Sequence, residues 1–351
     1  MELALYCPLC GYYEQEADNL GRRGDYFTSV SVGRLFGELL AFQFAAWLTE
    51  LETQNSKLET DSLHLIEAGA HDGKLACDIL AWLREHRPAL FARLEYGIVE
   101  PSARRQEWQR RTLAEFDEKV RWFSNLASLR VRRLTGVLFS NELLDALPVH
   151  RFGWDAKRHE WFEWGVALDG EKFIRARMPE TLRASRPPFH VPPDLLAVLP
   201  DGFATEVCPT ATDWWREAAS VLHHGKLLTL DYGLTAEEFF APHRRDGTLR
   251  AYRRHQVSGD VLANPGEQDL TAHVNFTAIQ AAGEAAGLTT ESFVTQAQFL
   301  VRIAEQTWRD KGSFGEWDAD RLRQFKTLTH PEHMGRTFRA LVQSAAASRD
   351  S

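Results

Sequence analysis

The amino-acid sequence predicts an α/β fold in which a mostly parallel sheet carries helices on both faces. In the segment Leu63 to Lys74, LHLIEAGAHDGK, an apolar strand pattern ends at a short polar turn bracketed by two glycines. A helical pattern from Leu75 to His86 follows, and then a second apolar run, Tyr96 to Val99. The same alternation recurs further along the chain. Strands that alternate with helices are typical of parallel sheets.

An N-terminal segment, residues 1–60, precedes this unit. Its first thirty residues are rich in turn residues and contain several tyrosines. From Val32 to Leu51 the apolar residues recur with mostly helical spacing, which predicts an amphipathic helix.

The rest of the sheet follows in residues 61–350. Ser102 is a predicted N-cap for the helix that follows the second strand. The further predicted strands are Val120–Phe123, Val137–Ser140 and Leu227–Leu230, and the further predicted helices are Ser102–Phe116, Thr212–His223 and Thr277–Ala286.

Two insertions are expected in this larger domain, at about 149–210 and 234–272. Residues 149–178 show short alternating segments and an Asp169-Gly170 turn, a pattern that favours antiparallel strands. A Pro-rich linker, Arg186 to Pro193, leads toward the next helix. We expect these insertions to form an antiparallel and helical substrate region.

Composition narrows the class of protein. The formal net charge of -8 argues against a nucleic-acid backbone as the main partner. No apolar window is long enough for a membrane span, and the N-terminus lacks the pattern of a secretory signal. These observations predict a cytoplasmic protein. They do not predict its oligomeric state.

Four cysteines are present, of which Cys7 and Cys10 form a CxxC pattern. This pattern fits half of a zinc site or a redox pair. Because no second CxxC or suitably spaced His pair completes a zinc site, no metal is predicted. The pattern favours reduced thiols.

Polar residues follow each predicted sheet strand at its carboxyl end. In an open parallel sheet these ends meet at one edge, where ligands bind. The glycines of the first turn allow a close approach of the backbone to a ligand, and Glu100 can accept hydrogen bonds from two ribose hydroxyls. The sequence therefore predicts a crevice for a nucleotide-like ligand. The residues at the strand ends are Glu67 to Gly73, Glu100, Ser124-Asn125, Asn141-Glu142 with Asp145, and Asp231-Tyr232.

Several blocks of the chain resemble the family of S-adenosylmethionine-dependent methyltransferases that includes the mitochondrial complex I assembly arginine methyltransferase and its bacterial relatives. The resemblance implies a class I methyltransferase fold, which is Rossmann-like, and methylation of a protein arginine with S-adenosylmethionine as cofactor. The matching blocks are GRRGDYFTSVSVGRLFGELLA, LIEAGAHDGKLACDIL, YGIVEPS, SNELLDALPVHRF, LTLDYG, RAYRRHQVSGDVLANPGEQDLTAHVNF and THPEHMGRTFRAL.

The resemblance also implies where the cofactor binds. It places S-adenosylmethionine over the Gly69–Gly73 turn with its ribose on Glu100, and it places segment 1–60 at the border of the active site. One position departs from the family, because His71 replaces the middle glycine of its G-x-G-x-G turn. The full set of predicted cofactor residues is Asp25, Thr28, Glu67, Gly69, Asp72, Gly73, Glu100, Asn125 and Asn141.

Four residues are predicted to serve catalysis. An arginine acceptor is a cation, so carboxylates are needed to hold it. Glu142 and Asp145 would share one face if their segment is helical, and Asp231 is a third acidic candidate. His273 is predicted to accept a proton, because the unperturbed pKa of histidine lies near neutral pH.

Two alternatives remain from the residues. A nicotinamide-dependent oxidoreductase would need G-x-G-x-x-G after the first strand, which residues 69–74 do not supply. A non-catalytic assembly factor would keep the fold and bind a partner protein. His71 in the glycine turn is the feature that favours this second alternative.

Overall fold

A central sheet with helices on both faces forms the body of the protein in a computed structural model. The structure describes residues 1–15, 28–54, 63–132, 134–179, 191–253, 256–309 and 312–346. The strands are β1 (Leu63–Ala68), β2 (Leu94–Val99), β3 (Val120–Phe123), β4 (Leu134–Asn141), β5 (His150–Asp155), β6 (Glu160–Asp169), β7 (Lys172–Arg177), β8 (Ala204–Val207), β9 (Leu222–Leu234), β10 (Arg250–Arg253), β11 (Gln256–Ser258), β12 (Asp269–Thr271), β13 (Val274–Asn275), β14 (Thr289–Thr295) and β15 (Phe338–Ala345).

The α-helices mostly alternate with the strands of the central sheet. They are α1 (Glu2–Tyr6), α2 (Ser29–Val32), α3 (Leu35–Gln54), α4 (Lys74–His86), α5 (Pro88–Arg93), α6 (Ala103–Thr112), α7 (Pro193–Leu196), α8 (Pro209–Val221), α9 (Ala236–Phe239), α10 (Phe276–Ala285), α11 (Gln296–Arg309) and α12 (Ala319–Thr329).

The central sheet has the strand order β14-β15-β9-β4-β1-β2-β3, with β13 paired to β9. Strands β3, β2, β1, β4 and β9 run parallel, whereas β15 is antiparallel to β9 and β14 is antiparallel to β15. Because β1 lies between β2 and β4, the chain reverses its direction of progress across the sheet at β1. Ligands bind at such a point in open α/β sheets.

Alternate residues of β1 pack on opposite sides of the sheet. Leu63 and Leu65 join one apolar core with α3, α4 and α11, whereas Ile66 and Ala68 join another with α8 and α10. Successive strand side chains point to opposite faces, so two helical layers can each bury half of the strand. The predicted α/β class with helices on both faces is confirmed.

Two smaller sheets branch from the central one. One has the order β7-β6-β5-β8 and the other β11-β10-β12, and every strand pair in them is antiparallel. Residues 149–178 thus form the antiparallel strands that the sequence predicts. We retain the division into residues 1–60 and a larger domain with two insertions as a proposal.

The predicted boundary between the helix ending at His223 and the next strand is wrong. The helix predicted to reach His223 ends at Val221, and His223 lies within β9. The strand begins early because β4 continues far enough to pair with it, placing His224 opposite Thr135 and Gly225 opposite Gly136.

Candidate active site

A cavity of about 730 Å³ lies at the carboxyl ends of β1, β2 and β4. Residues 1–15 and the β10–β12 region, 250–253 and 256–271, line its other side, and we refer to these two segments together as the cover. An apolar cluster that includes Leu5, Tyr12 and Ala251 joins the two segments. The site is therefore built between the parallel sheet and a separate cover.

The turn after β1 follows the left-handed backbone path that its glycines favour. Gly69 has φ 73° and Gly73 has φ 84°, and Gly69 lines the cavity. His71 has φ 46°, so it adopts the left-handed conformation in place of a glycine. A non-glycine residue pays about 1–2 kcal/mol for that conformation. The turn thus retains its path at a modest cost.

Asp72 closes this turn onto the following helix. Its Oδ1 accepts a hydrogen bond from the Lys74 backbone N–H at 3.0 Å, at the start of α4. Asp72 also lines the cavity, whereas Gly73 is not among the residues that line it. Gly73 therefore contributes to the backbone path of the turn without lining the cavity.

Glu100 places a buried carboxylate at the end of β2. Its Oε1 accepts from the Ser102 backbone N–H at 3.0 Å, and Arg105 lies 3.5 Å from its Oε2. The side chain amide of Gln109 donates to the same Oε2 at 3.3 Å. Glu100 lines the cavity and is held in place by these donors, so it is positioned to accept hydrogen bonds from a ligand.

Glu67 lies at the end of β1 in a similarly buried position. The Tyr96 hydroxyl donates to its Oε2 at 2.5 Å, and burial raises the pKa of Glu67 to about 7 despite this hydrogen bond. Glu67 also lines the cavity.

Carboxylates gather at the part of the cavity beyond β4. Glu142, Asp145 and Asp269 all line it. Burial raises the pKa of Glu142 to about 8, and burial together with the charges of Asp231, Asp269 and Glu142 raises the pKa of Asp145 well above its usual value. Within the described residues, neither Glu142 nor Asp145 has a Lys or Arg in ion-pair distance. This part of the cavity is suited to a cationic group.

The segment from Glu142 to Asp145 is not helical. From the sequence, the two carboxylates were expected on one face only if this segment formed a helix. Glu142 has φ 52°, and bends and a turn follow it. The carboxylate of Asp231 accepts from the backbone N–H groups of Leu144 at 2.8 Å and Asp145 at 3.4 Å. These N–H groups are engaged by a side chain instead of by helix carbonyls.

Asp231 lies in β9, the strand that pairs with β4. It is fully buried, is not among the residues that line the cavity, and has its pKa raised to about 7 by burial. Its hydrogen bonds hold the backbone that carries Asp145.

His273 likewise lies outside the cavity lining. Burial with the charges of Arg244 and Arg250 lowers its pKa to about 4. A histidine with that pKa is a weak proton acceptor near neutral pH. The structure therefore does not place His273 among the residues that line the cavity with Glu142 and Asp145.

Three further predicted cofactor residues can be placed. Thr28 lines the cavity and caps α2, and Asn141 lines the cavity and donates to Glu142 Oε1 at 3.1 Å. Asn125 is exposed, lies outside the cavity lining, and accepts from the Ser128 backbone N–H at 3.0 Å. It caps a short 3₁₀-helix, a common use of Asn after a strand. Asp25 lies outside the described residues.

The cover supplies residues that the sequence did not single out. The Tyr6 hydroxyl donates to the Ala146 carbonyl at 3.0 Å, and the Tyr13 hydroxyl donates to Asp269 Oδ1 at 2.7 Å. Both tyrosines line the cavity, as does Tyr252. The sequence does show several tyrosines in the first fifteen residues. Their number alone does not indicate that they contact Ala146 and Asp269, which are far away in the sequence.

Neither a metal centre nor a membrane helix is found in the described ranges. No group of three or more His, Cys, Asp or Glu side chains there could hold a metal ion. No helix within those ranges is long and apolar enough to cross a membrane.

Comparison with known proteins identifies the family. Residues 39–294 match a family described as S-adenosyl-L-methionine-dependent methyltransferases. The chain belongs to this family. It is accordingly an S-adenosylmethionine-dependent methyltransferase, and the alternative of a nicotinamide-dependent oxidoreductase is not supported.

Relatives of this methyltransferase are similar over most of their length. Protein arginine methyltransferase NDUFAF7, mitochondrial, of Rattus norvegicus is 28% identical over 371 residues, covering 96% of this chain and 78% of the relative. The protein of the same name from Homo sapiens is 26% identical over 371 residues, covering 96% and 77%. Because these relatives are named as mitochondrial, the prediction of a cytoplasmic location is wrong.

A solved structure of a protein from Burkholderia thailandensis, bound to S-adenosylhomocysteine, has a similar fold. It matches with a TM-score of 0.80 at 31% identity, covering 98% of this chain and 86% of that one. A native structure of a protein from the same organism matches with a TM-score of 0.77 at 30% identity. The class I methyltransferase fold is confirmed by these likenesses.

The methyltransferase cavity fits the cofactor on its own geometry. The positive φ of Gly69 lets the backbone of the turn pass close to a ligand, and the buried Glu100 carboxylate faces the same cavity. A carboxylate at the tip of the second strand is suited to ribose hydroxyls. The cavity volume of about 730 Å³ is in the range of small-molecule sites.

Proposed function

We propose that this methyltransferase modifies an arginine side chain of a protein substrate. The observation that carries the proposal is the pair of carboxylates Glu142 and Asp145, which line the cavity with no Lys or Arg in ion-pair distance in the described part of the chain. An arginine guanidinium is a fixed cation with a planar set of donors that matches carboxylates. A bound guanidinium would supply the positive charge that these two carboxylates lack.

The named relatives support the same acceptor. The similar proteins of rat and human are named protein arginine methyltransferases. The charge arrangement in the cavity and the names of the relatives are independent of each other.

We assign the cofactor to the part of the cavity beside the β1 turn. Gly69 and Asp72 would border it at the β1 turn, with Gly73 behind them, and Glu100 would accept hydrogen bonds from its ribose. Glu67, Thr28 and Asn141 line the same cavity and complete the proposed cofactor residues.

The cofactor supplies a methyl group carried on a positively charged sulfur. Glu142 and Asp145 would hold the guanidinium and direct one of its nitrogens toward that methyl group, because orientation is the main requirement of an in-line displacement. The new C–N bond replaces the C–S bond, and the guanidinium nitrogen gives up one proton. Glu142 Oε2 would accept that proton, since Oε1 is engaged by Ser29 and Asn141.

Replacing Glu142 by Gln tests the assignment. The variant retains the oxygen that accepts from the Ser29 N–H at 3.1 Å, but it loses the charge. Loss of a charged hydrogen bond costs about 1.5–3 kcal/mol, or about 10- to 150-fold in kcat/KM for an arginine-containing protein. Affinity for S-adenosylhomocysteine, measured by calorimetry, should remain within about twofold of the wild-type value.

An exposed carboxylate outside the cavity lining, Glu118, provides the control. Glu118→Gln should leave both quantities unchanged. Equal losses of cofactor affinity and methyl transfer in Glu142→Gln would instead place Glu142 beside the cofactor.

A further inference from the structure

The CxxC sequence of residues 7–10 forms a tight turn in the cover of the cavity. The Cys7 carbonyl accepts from the Cys10 N–H at 3.3 Å and from the Gly11 N–H at 2.7 Å. A turn of this kind holds its first and fourth Cα atoms within about 7 Å. Disulfides usually join Cα atoms that are about 4.4–6.8 Å apart, so the two cysteines are within bonding reach.

The turn connects the two segments of the cover. The Cys10 carbonyl accepts from Gln15 Nε2 at 3.3 Å, and the same nitrogen donates to the Gly266 carbonyl at 2.8 Å. Pro8, inside the turn, lines the cavity. Pro8 thus lies at the cavity, and the side chain of Gln15 links the turn to the β10–β12 region.

The two thiols differ in the direction in which their pKa values are shifted, and both can be reached from solvent. Backbone N–H groups of Leu9 and Cys10, together with the Cys10 thiol, donate to the Cys7 sulfur and lower the pKa of Cys7, whereas the pKa of Cys10 is raised. Cys10 is exposed and Cys7 is partly exposed, so a small reagent can reach them. A thiolate that is accessible and stabilised by donors is the nucleophile in disulfide exchange.

The other two cysteines are partly exposed but lack the lowered pKa of Cys7. Burial raises the pKa of Cys77, and burial raises the pKa of Cys208 to about 11. The Cys208 thiol also donates to the Pro148 carbonyl at 3.3 Å. Both are matched controls within the same chain.

We propose that Cys7 and Cys10 form a reversible dithiol–disulfide site whose oxidation stabilises the closed cover over the cavity. The oxidant is a small-molecule disulfide. The Cys7 thiolate attacks one of its sulfurs and displaces one thiol, and the Cys10 sulfur, after losing its proton to solvent, attacks Cys7 and displaces the second thiol. Two protein thiols are oxidised to one disulfide, and the reagent is reduced to two thiols.

The consequence concerns ligand exchange. A bond across the turn restricts local unfolding of residues 7–10, which include the cavity-lining Pro8, because it removes open conformations of this short loop. A ligand in the cavity leaves when the cover opens. Oxidation should therefore slow ligand release.

The test uses full-length protein incubated with oxidised glutathione and digested for mass spectrometry. The expected product is a peptide that joins Cys7 to Cys10 and is lighter by two hydrogen atoms. Release of bound S-adenosylhomocysteine from the oxidised protein should be about two- to tenfold slower than from the reduced protein, and a reductant should restore the original rate.

Two variants separate the pair from the other thiols. Doubly substituted Cys77→Ser/Cys208→Ser protein should retain the oxidation product and the slower release, and Cys7→Ser should lose both. Glutathione adducts without the internal bond, or an internal bond with unchanged release, would overturn the proposal. Release is measured without an acceptor, so failure here leaves the proposed arginine substrate untouched.

Discussion

Binding of an arginine-containing peptide should release protons from the carboxylates at the acceptor side of the cavity. Glu142 has a pKa of about 8, raised by burial, so it is largely protonated at neutral pH. A guanidinium placed beside a carboxyl group lowers its pKa by about 1–3 units. Glu142 should therefore lose its proton when the peptide binds.

The magnitude follows from these two values. At pH 7 a group with a pKa of about 8 is protonated in about nine-tenths of the molecules, and lowering that pKa by 1–3 units leaves about half to one-hundredth protonated. Glu142 alone should then release about 0.4 to 0.9 of a proton per peptide bound. The release should fade above the folded-state pKa, where Glu142 is already ionised.

Calorimetry in two buffers with different ionisation enthalpies measures this release. The protein should be saturated with S-adenosylhomocysteine so that no methyl transfer occurs during the titration. Glu142→Gln should reduce the proton release by the contribution of Glu142, and a peptide with citrulline in place of arginine should bind without comparable release. Equal binding heats in both buffers, or the same release from wild-type protein and Glu142→Gln, would refute the reasoning.

Three further predictions concern other parts of the site. The pKa of Glu67 is raised to about 7 in the folded protein, so as pH rises from about 4.5 to 7 Glu67 ionises in the unfolded state before it does in the folded state. The free energy of unfolding should therefore fall over this pH range. Urea denaturation of Glu67→Gln across the same range should show a smaller fall. His71 has φ 46°, so His71→Val should lower the melting temperature because a β-branched residue resists that conformation, whereas His71→Gly should not. Glu100→Gln should weaken S-adenosylhomocysteine binding by about 10- to 150-fold in calorimetry, because Gln cannot offer a charged acceptor to the ribose.

Each of these predictions has an opposing result. An unchanged pH profile in Glu67→Gln would show that Glu67 ionises normally in the folded protein. Equal melting temperatures for the Val and Gly variants of His71 would show that its backbone is not left-handed. Wild-type affinity in Glu100→Gln would place the ribose elsewhere.

The sheet and its crevice could be predicted from the sequence because they depend on local patterns. The apolar run before Glu67 and the glycines at 69 and 73 indicate a strand and a turn without knowledge of the remaining chain. The parallel arrangement then brings Glu100 and Glu142 to the same edge.

The roles of individual acids depended on contacts that local patterns do not contain. Asp231 binds backbone N–H groups 86 and 87 residues earlier in the chain, so the loop carrying Asp145 is shaped by a distant side chain and not by helix propensity. His273 is affected by Arg250, at the start of β10, and by Arg244, which precedes that strand. Asn125 resembles a ligand residue in sequence because helix caps and ligand sites use the same side chain.

A crystal structure of the protein with S-adenosylhomocysteine and an arginine-containing peptide would test the central claim most directly. The account predicts the ribose within hydrogen-bond distance of Glu100 and the guanidinium within hydrogen-bond distance of Glu142 or Asp145. A peptide bound with its arginine outside the cavity, and with Glu142 and Asp145 facing only solvent, would contradict it.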